Sequence, residues 1–126
     1  TKALKLATKI NQTEQICANA RNLAFINLIF DKDYEQYVLP FANIAINAAL
    51  SFNFDKIWKL RALAEGYIYL NDLEKSKENF MKLSKKADVR EKLNIYSNSY
   101  TAYTKLNDTK YNEDDFMRFL RLNLLT

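Results

Sequence analysis

A chain of 126 residues that contains one glycine, Gly66, and one proline, Pro40, has few ways to make the tight turns a sheet needs. Ordinary chains carry roughly 7% Gly and 5% Pro, and hairpin and loop turns rely on the φ angles those two residues supply. The shortage predicts an all-α chain of helices joined by short polar connections.

The apolar residues recur at helical spacing. Ala3 to Ile10 reads as a short amphipathic helix closed by Asn11-Gln12, and Thr13 then starts a helix running to about Phe30 with Ile16, Ala20, Leu23, Ala24, Ile26, Leu28 and Phe30 on its apolar side. After Asp31-Lys32-Asp33, a second stretch from Tyr34 to Phe52 carries Phe41, Ile44, Ala45, Ala48 and Ala49. Pro40 inside it either kinks the helix or marks its first turn, since proline has no amide hydrogen and clashes with the preceding turn. Asn53-Phe54-Asp55 is expected to cap a helix over Lys56 to Leu70. Asn71-Asp72 turns the chain into a partner helix over Leu73 to Lys86. Asp88 starts a helix that ends near Leu106 at the turn Asn107-Asp108-Thr109. Asn112 is the expected cap of a last helix to Leu125, with Glu113, Asp114 and Asp115 at the positive end of its dipole. The total is about seven helices and no strand, in one domain over residues 1–126.

Nearly half the residues are apolar and 27% are charged, the balance of a folded chain. The net charge is +4, with Lys outnumbering Arg 14 to 5 and spread along the sequence. Nucleic-acid readers gather such charges on one face, so nucleic acid is not the expected partner of this domain; a helical repeat using the Lys75 to Lys92 stretch is the form such binding would take. One cysteine, Cys17, excludes an internal disulfide and suits a reducing, cytoplasmic compartment. No apolar run reaches the ~20 residues of a membrane helix, so no membrane role is expected. The chain opens on Thr1 and enters helical pattern at once, which reads as a fragment of a longer protein.

The strongest pattern spans Leu60 to Leu83. Leu60, Leu63, Ala64 and Tyr67 share one helix; Ser76, Phe80 and Leu83 share its partner across Asn71-Asp72-Leu73. Small residues at Ala64 and Ser76 would let two antiparallel helices approach closely, with Tyr67 and Phe80 filling the space beside them. This unit resembles the tetratricopeptide repeat, with Ala64 where that pattern has Gly, Tyr67 at its Tyr, Ser76 at its Ala and Phe80 at its Phe. The neighbouring turns, near Lys32-Asp33 and Asn107-Asp108, lie close to one ~34-residue period away on either side. The resemblance implies a right-handed stack of antiparallel helix hairpins. An irregular helical bundle is the alternative.

The chemistry that is missing narrows the function. With no histidine, the commonest general base and metal ligand at neutral pH is absent. A lone cysteine builds no zinc site, and one glycine builds no phosphate-cradling loop. Asp31, Asp33 and Glu35 imitate half a calcium loop, but the loop glycine is missing and Ala42 stands at the closing glutamate. The sequons at Asn11 and Asn107 matter only in a secreted chain. Cys17 reads as a buried, inert thiol. The expectation is a non-enzyme with no metal and no cofactor.

In stacked helix pairs the leading helices line a concave surface that binds peptides or protein segments. The faces left over after packing put Asn19 and Asn22, then Trp58, Arg61, Glu65 and Tyr69, then Asn94, Asn98, Thr101 and Lys105 along that groove. Amides pair with an extended backbone, Trp58 and Tyr69 offer flat apolar area, and Arg61 can fork onto a carboxylate. The bland reading is that fourteen asparagines reflect a compositional bias. Carboxylate-clamp tetratricopeptide domains place Lys and Asn along this groove; here those places hold Asn22, Ile26 and Asn98, so that clamp is not reproduced. The chain looks more like the C-terminal sensing domain of bacterial peptide-pheromone receptor regulators, whose groove asparagines grip peptide backbone. That resemblance, carried by Asn22 and Asn98, implies a peptide ligand and a change of curvature on binding.

The last helix is a separate clue. Phe116, Phe119, Leu120 and Leu124 leave it little polar face, although a terminal repeat helix normally turns a polar side outward. It either packs across the preceding pair or forms a self-association surface, which would make the chain a homodimer or scaffold module with no small ligand.

Overall fold

The computed structural model describes residues 1–108 and 113–126; the expected cap Asn112 and the turn residue Thr109 lie outside them. Among the described residues there are six α-helices, one π-helical turn and no strand: α1 Lys2–Ile29, the π turn Tyr34–Val38, α2 Leu39–Ala49, α3 Ile57–Tyr69, α4 Leu73–Ser84, α5 Val89–Asn107 and α6 Asp115–Leu124. The expected first two helices are one. Thr1 caps α1 by accepting from the Leu4 amide at 3.1 Å, and the chain runs on through Asn11 and Gln12. Neither amide residue breaks a helix, and Thr13 satisfies its hydroxyl inside it by donating to the Lys9 carbonyl at 2.8 Å.

Pro40 sits in the first turn of α2. Just before it the Leu39 amide bonds to the Tyr34 carbonyl, five residues back. That wider turn gives the proline ring room where an ordinary α turn would meet a carbonyl. Asp33 starts the π turn by accepting from the Gln36 amide at 2.9 Å. At α3 the expected Asn53-Asp55 cap is not made: Lys56 is the capping position, extended and without a side-chain cap. Aromatic packing holds this entry instead, with Phe54 5.1 Å from Phe52 and 5.8 Å from Trp58 between ring centres.

A chain with one glycine still has to leave its helices, and it does so through Asp and Asn. Asp31, Asn71 and Asp108 carry positive φ at the ends of α1, α3 and α5. These residues adopt the left-handed conformation more readily than other non-glycine types. At two of them the bonding repeats. Lys32 N–H reaches the Asn27 carbonyl and Asp31 N–H that of Leu28; Asp72 N–H reaches Tyr67 and Asn71 N–H reaches Ile68. Both are Schellman endings with Asp or Asn in place of Gly.

Packing centres on α3, which touches α1, α2, α4 and α5. Leu60, Ala64 and Ile68 of α3, Phe80 and Leu83 of α4, Ile95 and Tyr103 of α5, and Phe116, Leu120 and Leu124 of α6 form one core. A second joins Cys17 and Ala20 of α1, Ala45, Ile46 and Ala49 of α2, and Ala62 and Leu63 of α3. At Gly66 α3 lies close against α2, because a Cβ there would stand 2.7 Å from Ile46 Cγ1.

Candidate functional site: the cleft between α1, α3 and α5

The helices α1, α3 and α5 touch one another. Near their C-terminal ends they meet over Tyr69, with Ala24 and Leu28 of α1 packed against Ala102 and Leu106 of α5. Toward their N-terminal ends they leave an open cleft of about 820 Å³. One wall comes from Ile10, Asn11, Glu14, Ala18 and Arg21 of α1, the other from Lys86 and Glu91; Ile57, Trp58 and Arg61 lie between.

At the inner end of this cleft, side chains from three helices form a chain of polar contacts. Glu65 of α3 is 4% exposed. Its Oε2 is shared by two guanidinium groups, receiving Arg61 Nε from the same helix and lying 3.6 Å from Arg21 Nη1 on α1. Arg61 also donates from Nη2 to Asn94 Oδ1 on α5 at 2.8 Å. Burial pulls the Arg21 guanidinium below the usual arginine range and the Glu65 charge opposes that shift. The Tyr69 hydroxyl, beside Glu65 and Arg21, is pushed up by burial first and by the Glu65 charge second. A phenol held neutral there acts as a hydrogen-bonding group only.

Beyond the α1–α5 contact lies a smaller pocket of about 480 Å³, lined by Leu28, Asp31, Tyr34, Tyr69, Asn71 and Lys105 among others. Lys105 of α5 pairs with Asp31 at 2.6 Å, and the Tyr34 hydroxyl donates to the Tyr69 carbonyl. The expected groove is therefore divided in two by direct contact between its outer helices.

The ten expected groove residues fall in different places. Trp58 and Arg61 line the cleft, and Glu65 and Asn94 hold Arg61. Tyr69 and Lys105 line the smaller pocket. Asn19 and Asn22 are exposed and line neither, and Asn98 and Thr101 are half-buried on α5 outside both linings. The cause is the rotation of α1: Cys17, Ala20, Ala24 and Leu28 are its buried stripe, which turns Arg21, one step around the helix, toward α3. Arg21 is the residue sequence reasoning missed. The signal was its position four residues after Cys17, beside a row of small residues that permits close packing.

The residues expected to self-associate lie inside this chain's own core. Phe116, Leu120 and Leu124 are buried against α3, α4 and α5, and Phe119 is partly buried beside them. Of the two readings, the last helix packs across the preceding helices. Asp114 caps it, accepting from the Met117 amide at 2.9 Å and from the Tyr103 hydroxyl at 2.5 Å.

No group of His, Cys, Asp and Glu among the described residues could hold a metal ion. Two of the three carboxylates of the calcium-loop imitation are engaged, Asp31 with Lys105 and Asp33 at the π turn. Burial raises the Cys17 thiol to about 11, and its sulfur contacts the Ala45 carbonyl at 3.6 Å. A thiol so placed is a poor nucleophile. Among the described residues no helix is long and apolar enough to cross a membrane. No protein-family model matches the chain, and no match was found among curated proteins or solved structures.

Proposed function

We propose that this chain is a tetratricopeptide-like helical-repeat domain that binds a peptide or protein segment in the cleft between α1, α3 and α5. The observation that carries the reading is the cleft itself. It is built from three helices that a segment would bridge, and its volume of about 820 Å³ falls within the range of ligand sites. Its lining mixes flat and aliphatic area, Trp58, Ile57 and Ile10, with polar groups from two helices, Asn11 of α1 and Arg61 of α3. An extended segment needs both kinds of partner.

Repeat character is supported by the contact between α3 and α4. Ser76 donates from Oγ to the Ala64 carbonyl at 2.7 Å, the close approach that the two small residues of a tetratricopeptide unit permit. A sensing role in a bacterial regulator is the extension of this reading: α1 and α5 pack together around Ala24 and Ala102, at one end of the cleft, so an occupant of the open end would alter the angle between them. No catalytic group is assigned to the site.

A pool of hexa- to octapeptides tests the reading by thermal melting, because a ligand of the folded state raises its stability. A rise of several degrees with one sequence is expected, lost in Ala18→Arg, which fills the cleft. If no peptide raises the melting temperature, or if Ala18→Arg leaves the rise intact, the reading is wrong.

A second reading, self-association, is favoured by one observation. On α1 the side chains of Ile16, Leu23, Ile26 and Phe30 are 48%, 42%, 47% and 71% exposed. The residue spacing, seven apart for Ile16, Leu23 and Phe30, is that of a helix-pairing seam between two copies. Sedimentation decides it: a monomer at high concentration removes the reading, and a dimer dispersed by Leu23→Glu establishes it.

A further inference from the structure

We infer that two copies of this chain pair along α1 in antiparallel sense, the basic N-terminal turns of each lying against the acidic C-terminal end of the other. This rests on the self-association reading. The buried stripe of α1, from Cys17 to Leu28, is already spent on its own chain. A second stripe faces outward, with Ile16, Asn19, Leu23, Ile26 and Phe30 all exposed. Their spacing alternates between three and four residues, the pattern of helices that pair lengthwise. At 28 residues α1 is about 42 Å long, enough for such a seam.

Charge selects both the occupant and its direction. Toward the N-terminus the same stripe continues as Lys9, Lys5 and Lys2, all exposed, and residues 2–13 contain no carboxylate. Glu14, the first acid, lies on another side of the helix and lines the cleft. Past the other end stand Asp31, Asp33 and Glu35, exposed as well. Lys32, and Lys105 bound to Asp31, offset two of these three charges, so this end remains acidic by one. The adjoining α2 carries no charged residue. Asn27 donates to the Tyr37 carbonyl at 2.9 Å, which holds the π turn, with Glu35 in it, beside the end of the stripe. Parallel pairing would set like ends together. Antiparallel pairing opposes unlike ends at both extremes of a two-fold contact, so the face is complementary to itself. It also opposes the two helix dipoles. The register that sets Ile16 against the partner's Ile26 sets Leu23 against the partner's Asn19 and brings Lys9 toward the partner's Asp33 and Glu35.

The test is disulfide cross-linking of the whole chain, with sedimentation beside it. Ile16→Cys and Ile26→Cys are made separately, mixed and oxidised; the native Cys17 thiol is buried and stays out of the exchange. A mixed disulfide between the two variants is expected, with little linkage in either variant alone, since only Ile16 and Ile26 come within bonding reach across the seam. Lys9→Glu, a change at an exposed position, should weaken the dimer roughly fivefold. Adding Glu35→Lys to it should restore the dimer, because the exchanged charges meet again across the contact. Disulfides that form only between like variants mean parallel pairing and overturn the inference while self-association stands. A dimer indifferent to Lys9→Glu, or one that the charge exchange does not restore, overturns it in the same way. A monomer at high concentration overturns both, as does a dimer that Leu23→Glu fails to disperse, which would be joined through another face.

Discussion

The pairs α1–α2 and α3–α4 solve the same problem, bringing two helices close, with different materials. Between α3 and α4 large side chains alternate with small ones: Leu60, Phe80 and Leu83 are fully buried, and the Ser76 hydroxyl reaches the Ala64 carbonyl. Between α1 and α2 almost everything buried is small, with Cys17, Ala20 and Ala24 facing Ala42, Ala45 and Ala49. Each pair also ties a side chain to the other helix's backbone, Ser76 to the Ala64 carbonyl and Cys17 to that of Ala45. The lesson concerns where the apolar surface goes. The α3–α4 pair buries Leu60, Phe80 and Leu83 in a core it shares with α5 and α6. The α1–α2 pair packs through alanines and leaves Ile16, Leu23 and Phe30 of α1 outside.

This contrast can be broken by exchanging large for small in each pair. Phe80→Ala removes a fully buried ring from the main core, and a loss of about 3–5 kcal/mol is expected in denaturant unfolding. A loss below ~1 kcal/mol would mean that the seam does not depend on the large residue. The reverse change, Ala45→Leu, inserts bulk into the alanine seam and should cost about 1–3 kcal/mol through overpacking. If Ala45→Leu is neutral, the α1–α2 approach is looser than described.

How much of this was legible in the sequence follows from the same contrast. The α3–α4 unit was readable because its bulky residues repeat at helical spacing and Asn71-Asp72 announces both the end of one helix and the cap of the next. The α1–α2 unit was not, because alanines and a cysteine say little about which face is buried, while the larger Ile and Leu residues point to the wrong one. The groove residues show the consequence. Trp58 and Arg61, on the legible α3, line the cleft as expected, but Asn19 and Asn22, on α1, do not, and Arg21 takes the inward place. The boundary at Asn11-Gln12 failed for a local reason, since neither residue forces the chain out of a helix. The embedded π turn at Pro40 depends on how the entry to α2 is packed, which sequence spacing does not report.

Two buried serines sharpen the comparison at lower energies. Ser76→Ala deletes a bonded hydroxyl and should cost about 0.5–1.5 kcal/mol. Ser99 of α5 is as deeply buried, yet its hydroxyl has no hydrogen-bond partner among the described residues. Ser99→Ala should therefore be neutral or stabilising by up to ~1 kcal/mol, and a clear loss would reveal a partner. The smallest effect is confined to alkaline solution. Burial, with the Asp114 bond second, raises the Tyr103 phenol to about 12, above its ordinary value of about 10. The folded state then holds this proton more tightly than the unfolded one, so the contribution is complete below pH ~10 and is lost as pH rises toward about 12. Melting temperatures followed across that window should fall less steeply in Tyr103→Phe than in the parent; equal slopes would remove Tyr103 from the cause.

The most direct test of the binding cleft uses Trp58, the one tryptophan of the chain, which lines it. Its emission should shift or be quenched as a peptide that stabilises the fold is titrated in, with a midpoint matching that of the stabilisation, and Ala18→Arg should abolish both. A peptide that raises the melting temperature without altering Trp58 emission binds elsewhere and contradicts the assignment of the cleft.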